Sequence, residues 1–285
     1  MLIPILLILI STAASLVEGV VIKKYNTKHT GGGFLFTGIV SLFSMLFFVV
    51  TDKNGFDFRT GVFVYGIISG IMYCSASVYT YIALECGSFA MTMLILSYTI
   101  LFSIVYGIAF LGEKATAFTY IGFALLMLSI YFMNGKNVGK RKVTAKWIAA
   151  MLISFVGCGG YGIIQRMQQI HYNDACTNEY MIVTLGFSAI VLILIGAVRE
   201  RGGIGAFIKT GGLYAAGAGV SNGATNFFAL VLNTLIPISI AAPMRSGAKI
   251  VISFLVSVLI FRERFEKRQL AGLILGALAL IFLNL

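Results

Sequence analysis

Apolar residues do not alternate with polar ones along this chain; they run on, in blocks long enough to cross a bilayer. A helix needs about 20 mostly apolar residues to span the hydrocarbon. Ten segments meet that requirement, at about 2–22, 33–51, 60–85, 88–111, 117–134, 147–166, 178–198, 209–232, 235–260 and 267–284. Lipid offers no partner for backbone amides, and these runs are too long and continuous for barrel strands, so each predicts a helix. The first run starts at Leu2 with no basic region before it. It is followed by Val21-Ile22-Lys23-Lys24 rather than a small-residue cleavage pattern, so it reads as a retained span.

The longest polar connector, Asn134–Lys146, divides the ten segments into two sets of five. The sets look related. Segment four ends Phe110-Leu111-Gly112-Glu113 with Gly122 nine residues on, and segment nine ends Ile260-Phe261-Arg262-Glu263 with Gly272 nine residues on. Glu18-Gly19-Val20-Val21-Ile22-Lys23 near the start of one half matches Tyr161-Gly162-Ile163-Ile164-Gln165-Arg166 near the start of the other. Five is odd, so a second copy has to sit inverted in the membrane, a device of secondary transporters that places the substrate near the midplane. The expectation is an all-α integral membrane protein, ten transmembrane helices in a 5+5 inverted repeat around a central cavity. The repeats cover 1–135 and 147–285, joined by a basic linker at 136–146.

Composition agrees. Of 285 residues, 59% are hydrophobic and 11% charged, against roughly 25% charged in soluble domains, and the mean hydropathy is +0.97. The net charge of +11 does not imply nucleic acid, because the basic residues lie in short connectors. There they report orientation instead. Of the 21 Lys and Arg, fifteen fall in the odd-numbered connectors and only Lys53, Arg59, Lys114 and Arg166 in the even ones. That bias places the odd connectors in the cytoplasm and both termini outside a plasma membrane. The four cysteines, Cys74, Cys86, Cys158 and Cys176, show neither metal nor disulfide spacing and read as small packing residues. No catalytic motif is present, so an enzyme is not expected, and neither is a cofactor. The triple glycine Gly31-Gly32-Gly33 follows no strand and reads as a flexible entry to the second span.

The ten spans, the paired halves and the Leu111-Gly112-Glu113 … Gly122 pattern together resemble the drug/metabolite transporter superfamily, EamA type. The second copy of the motif departs from it, with Arg262-Glu263. The resemblance implies a basket of ten helices whose cavity is lined mainly by spans 1, 3, 4, 6, 8 and 9. It also implies cytoplasmic termini, against the charge count. Substrates across the superfamily include amino acids, sugars, nucleotide sugars, phosphorylated metabolites and toxic cations.

Ionisable groups inside lipid are costly and usually face a bundle interior. Glu18 follows Ser11 and Ser15 on one face of span 1. Tyr73, Ser77, Tyr81 and Glu85 recur at four-residue steps in span 3, and Asn222, Asn226 and Asn233 share a face of span 8. Arg245 and Lys249 share a face of span 9, just after Pro243. The candidate substrate-binding set is Glu18, Tyr73, Ser77, Tyr81, Asn222, Asn226, Arg245 and Lys249. Plain packing is the rival account of the tyrosines, and interhelical bonding of the asparagines. Two cations against one carboxylate point to a small anionic or zwitterionic metabolite (an amino acid, organic acid or phosphorylated metabolite) moved by alternating access. The alternatives are an exporter of cationic drugs coupled to a proton at Glu18, and a non-transporting membrane scaffold.

Overall fold

The computed structural model describes residues 2–28, 32–52, 55–110, 116–133, 137–138, 141–142, 144–172, 175–201, 204–235, 238–263 and 266–282. The motif Leu111-Gly112-Glu113, His29, Gly31 and residues 136, 139, 140 and 143 of the basic linker lie outside that set, as do the side chains of Asn233 and Pro243.

The apolar runs are helices. They are α1 (Leu2–Lys28), α2 (Gly33–Thr51), α3 (Thr60–Cys86), α4 (Phe89–Ser97), α5 (Ile100–Phe110), α6 (Ala117–Met133), α7 (Ala145–Tyr172), α8 (Thr177–Arg199), α9 (Ile204–Thr210), α10 (Gly212–Leu235), α11 (Ile238–Leu259) and α12 (Lys267–Phe282). Among the described residues the only strands are the two-residue pair β1 (Asn137–Val138) and β2 (Arg141–Lys142), antiparallel within the linker. Among the described residues, five helices are long and apolar enough to cross a membrane by length and composition: α1, α2, α3, α7 and α8.

Two expected spans are divided. The fourth breaks at Tyr98–Thr99, where the amides of Tyr98 and Thr99 turn back to the carbonyls of Ile95 and Leu96, three residues away. The Thr99 hydroxyl donates to the same Leu96 carbonyl, at 2.7 Å, and side-chain bonds of this kind compete with the helical ladder. Before the eighth, short α9 stops at Gly211, where a Cβ would collide with Phe207 and with the Tyr25 hydroxyl. Helices α1 and α7 run six residues past the apolar stretches expected to form them.

The bundle is apolar outside and polar in places within. Val50, Leu213 and Ile274 are 82%, 86% and 62% exposed, as lipid-facing residues are. Ser41, Ser44, Ser69, Ser154, Ser188 and Ser253 are fully buried. Several of these hydroxyls bond a carbonyl on another helix: Ser44 to Gly219, Ser154 to Ala76, Ser188 to Gly70. Without a hydrophobic force between helices in lipid, close backbone approach and such bonds hold the bundle together. At Gly157 a Cβ would stand 2.8 Å from the Ala76 amide nitrogen and 3.0 Å from the Met72 carbonyl oxygen, and at Gly219 2.6 Å from the Val40 carbonyl oxygen.

The main packings are α3 with α7, α1 with α10, α2 with α8, and α6 with α12. Next come α2 with α10 and α3 with α8, then α11 with α4 and α1. Helices α1, α2, α3 and α10 thereby share one interior, and α11 closes it beside α1.

Candidate functional site

Asn222, in the middle of α10, is the centre of a polar network joining four helices. Its Oδ1 accepts from the Tyr73 hydroxyl of α3 at 3.1 Å and from Asn226 Nδ2, one turn on, at 3.2 Å. Ser44 of α2 stands 3.0 Å from the same oxygen. These donors fix which way the amide faces, so its Nδ2 donates to Glu18 of α1, at 3.1 Å from each carboxylate oxygen. The glutamate is thus held on the inner face of α1 with acceptor capacity to spare.

Arg245 and Lys249 approach from α11, at the eighth and twelfth positions of its 22 residues. Both are half-buried. Lys249 lies within electrostatic reach of Glu18 and of the Cys158 thiol of α7, and Arg245 within reach of Tyr161 on the same helix. Among the described residues, neither cation has a carboxylate at ion-pair distance. Tyr161 stacks edge-on against Tyr73, with ring centroids 5.7 Å apart. The chamber therefore has a carboxylate and two amides on one side, two cations on another, and an aromatic pair between them.

The structure brings together Glu18, Tyr73, Asn222 and Asn226, with Arg245 and Lys249 beside them. Ser77 is not part of the network; its hydroxyl donates to the Cys74 carbonyl of its own helix at 3.2 Å. Tyr81 is 1% exposed and packs against Phe36, centroids 5.3 Å apart, in a cluster with Tyr25 and Phe207. Glu85 sits one turn further on, near Tyr81 and away from the network.

Three members were not singled out from sequence: Ser44, Cys158 and Tyr161. Tyr161 had a usable signal, since it occupies the position matching Glu18 when the two halves are aligned. Ser44 had none, because one serine among many in an apolar helix says nothing of its partner.

A second cluster lies at the end of the bundle carrying most of the connector Lys and Arg. Lys23 of α1 pairs with Glu263, just past α11, at 3.1 Å with 6% and 11% of the two side chains exposed. It also donates to the Gly87 carbonyl at 2.6 Å. Glu263 further accepts from the Phe89 amide at 2.9 Å, the Ser88 hydroxyl at 2.6 Å, and the Ser257 hydroxyl. Burial works against the charge of this carboxylate, but Lys23 and these donors outweigh it and hold its pKa below the ordinary value.

Comparison with known proteins identifies the class. The model of the EamA-like transporter family matches residues 145–285. That C-terminal half matches a family of the drug/metabolite transporter superfamily, whose members are multi-pass membrane transporters. One solved structure, described only as the crystal structure of a protein, resembles it with a TM-score of 0.58 at 14% identity, covering 96% of both chains. At that identity the likeness is one of fold. No curated protein matches the chain.

Proposed function

We propose that the chain is a secondary transporter of a small anionic or zwitterionic metabolite, working by alternating access between two five-helix repeats, 1–135 and 147–285, joined at 136–146. The carrying observation is the charge inventory of the chamber: Arg245 and Lys249 in mid-helix, with Glu18 the nearby carboxylate. A charge at the centre of a membrane helix costs about 2.5–3.5 kcal/mol on insertion scales. Among the described residues one unit of positive charge is left without a balancing carboxylate, and a solute carboxylate or phosphate would neutralise it. The guanidinium of Arg245 suits two oxygens at once, with Lys249 as a point charge.

The pattern of packing supports the repeat. If α1, α2, α3, α4–α5 and α6 correspond to α7, α8, α10, α11 and α12, then α1 on α10 is the counterpart of α7 on α3. Likewise α2 on α10 is the counterpart of α8 on α3, and α1 on α11 of α7 on α5. Helices α2 and α8 pair with each other, as do α6 and α12. A two-fold relation predicts such pairs, and a site at the junction of the halves follows from it.

The test is uptake by proteoliposomes. Saturable flux of a carboxylate or phosphate solute, with little flux of uncharged analogues of similar size, is the expected result. Flux of organic cations alone, driven by a proton gradient and abolished in Glu18→Gln, would replace this reading with that of a proton-coupled exporter.

The orientation follows from the connectors. With fifteen Lys and Arg on one face and four on the other, the basic face is cytoplasmic and both termini face outward. A reporter fused after Leu285 that is active only in the cytoplasm is expected to stay silent. Activity there would reverse the orientation.

A further inference from the structure

We infer that the Lys23–Glu263 cluster is the closed gate of the transport path at the basic end of the bundle. The inference rests on the transporter reading above but not on the identity of the solute.

The two ends of the interior differ. Away from the basic end, the interior around the network carries half-buried Tyr161, Arg245 and Asn226. From Glu18 toward the basic end the lining closes. Phe89, Leu84, Met93, Ser253 and Ser257 are buried to 4% exposure or less. Helix α1 lies so close to α4 that a Cβ on Gly19 would overlap the Met93 methyl and touch Phe89. Beyond this plug sits the ion pair.

The pair joins three parts of the chain that must separate for the path to open there: the end of α1, the α3–α4 junction and the segment after α11. Lys23 ties α1 to the Gly87 carbonyl and to Glu263. Glu263 ties its own segment to the first amide of α4. The Lys23 ammonium also lies 5.5 Å from the centre of the Phe261 ring, which stacks on Phe89 with centroids 5.2 Å apart. Plug and ion pair are therefore one assembly. A buried ion pair gives little net stability against an apolar substitute, yet losing one partner leaves a charge that seeks water. That property suits a contact that must hold in one state and release in another, because water entering from the basic end can solvate both ions.

Cys158 is a native reporter, half-buried in the chamber and within reach of Glu18 and Lys249. In a variant whose other three cysteines are alanine, a membrane-impermeant thiol reagent should label Cys158 from the non-basic face and hardly from the basic face. Lys23→Gln is expected to raise labelling from the basic face by roughly tenfold or more, and to lower it from the other face. The exchange Lys23→Glu with Glu263→Lys is expected to restore the parent pattern. Unchanged labelling in Lys23→Gln, or a rise from both faces together with loss of a monodisperse protein, would overturn the gate and leave the cluster as a structural tie. Labelling needs no solute, so this labelling pattern in a protein whose proteoliposomes take up no anionic solute would refute the proposed substrate and keep the gate.

Discussion

Arg245→Gln is expected to weaken binding and uptake of anionic solutes by about 10- to 100-fold while changing neutral solutes little. Hydrogen bonds to a charged partner contribute about 1.5–3 kcal/mol, and each 1.4 kcal/mol is a factor of ten in affinity. Glutamine keeps much of the length and some of the donors but loses the charge and the paired geometry. The variant also removes a costly charge from mid-helix, so the fold should tolerate it. The measurement is a titration of binding for a carboxylate solute and its uncharged amide analogue, on parent and variant. An equal loss for both solutes would mean that Arg245 shapes the chamber and does not grip the anion. Lys249→Gln is the companion variant and should lose less, since a point charge contributes no bidentate geometry.

The largest effect on stability is expected at Gly157. Helix α7 crosses α3 there so closely that even an alanine methyl meets backbone atoms of residues 72 and 76, which cannot rotate away. Gly157→Val adds two more carbons to that contact. Overpacking of this kind costs about 1–3 kcal/mol and more where backbone must move, and α3 on α7 is the broadest packing in the bundle. The expected result is a large fall in thermal stability in detergent. The control is Gly217→Ala on α10, where nothing lies within 4 Å of the added carbon. That variant should be neutral or slightly stabilising, because alanine is the better helix former by up to about 1 kcal/mol. A Gly157→Val protein as stable as its parent would mean that α7 can slide off α3 at little cost.

These residues also show what the sequence could and could not reveal. The helices were legible because twenty apolar residues in a row admit no other structure in lipid. The break at Tyr98–Thr99 was not, because its cause is a serine-sized side-chain bond inside an unbroken apolar run. Helical spacing correctly put Asn222 and Asn226 side by side, one turn apart, and both touch the same network. It misled along α3. Four-residue steps turn a helix by about 40° each, so Tyr81 lies some 80° around from Tyr73 and faces the aromatic cluster with Phe36. Partners on other helices, such as Ser44 for Asn222 or Tyr161 for Arg245, depend on how helices are rotated against each other. That rotation is set by contacts such as those of Gly157 and Gly219, and no periodicity encodes it.

The acidic residues at helix ends bear on how the chain is made. Helix α2 begins after Gly32, which has no side-chain cap, and the amides of Phe34 and Leu35 are satisfied by the two oxygens of Glu200, at 3.0 and 3.1 Å. The first amide of α4 is satisfied in the same way by Glu263. A ribosome reaches Glu200 only after 165 further residues have left it, and Glu263 only 174 residues after Phe89. Until then these amides must turn to water or headgroups, which keeps the entrances of α2 and α4 at the membrane surface. Residues 1–135, released alone, would lack both carboxylates, so the N-terminal half matures only when the C-terminal half arrives to close its ends.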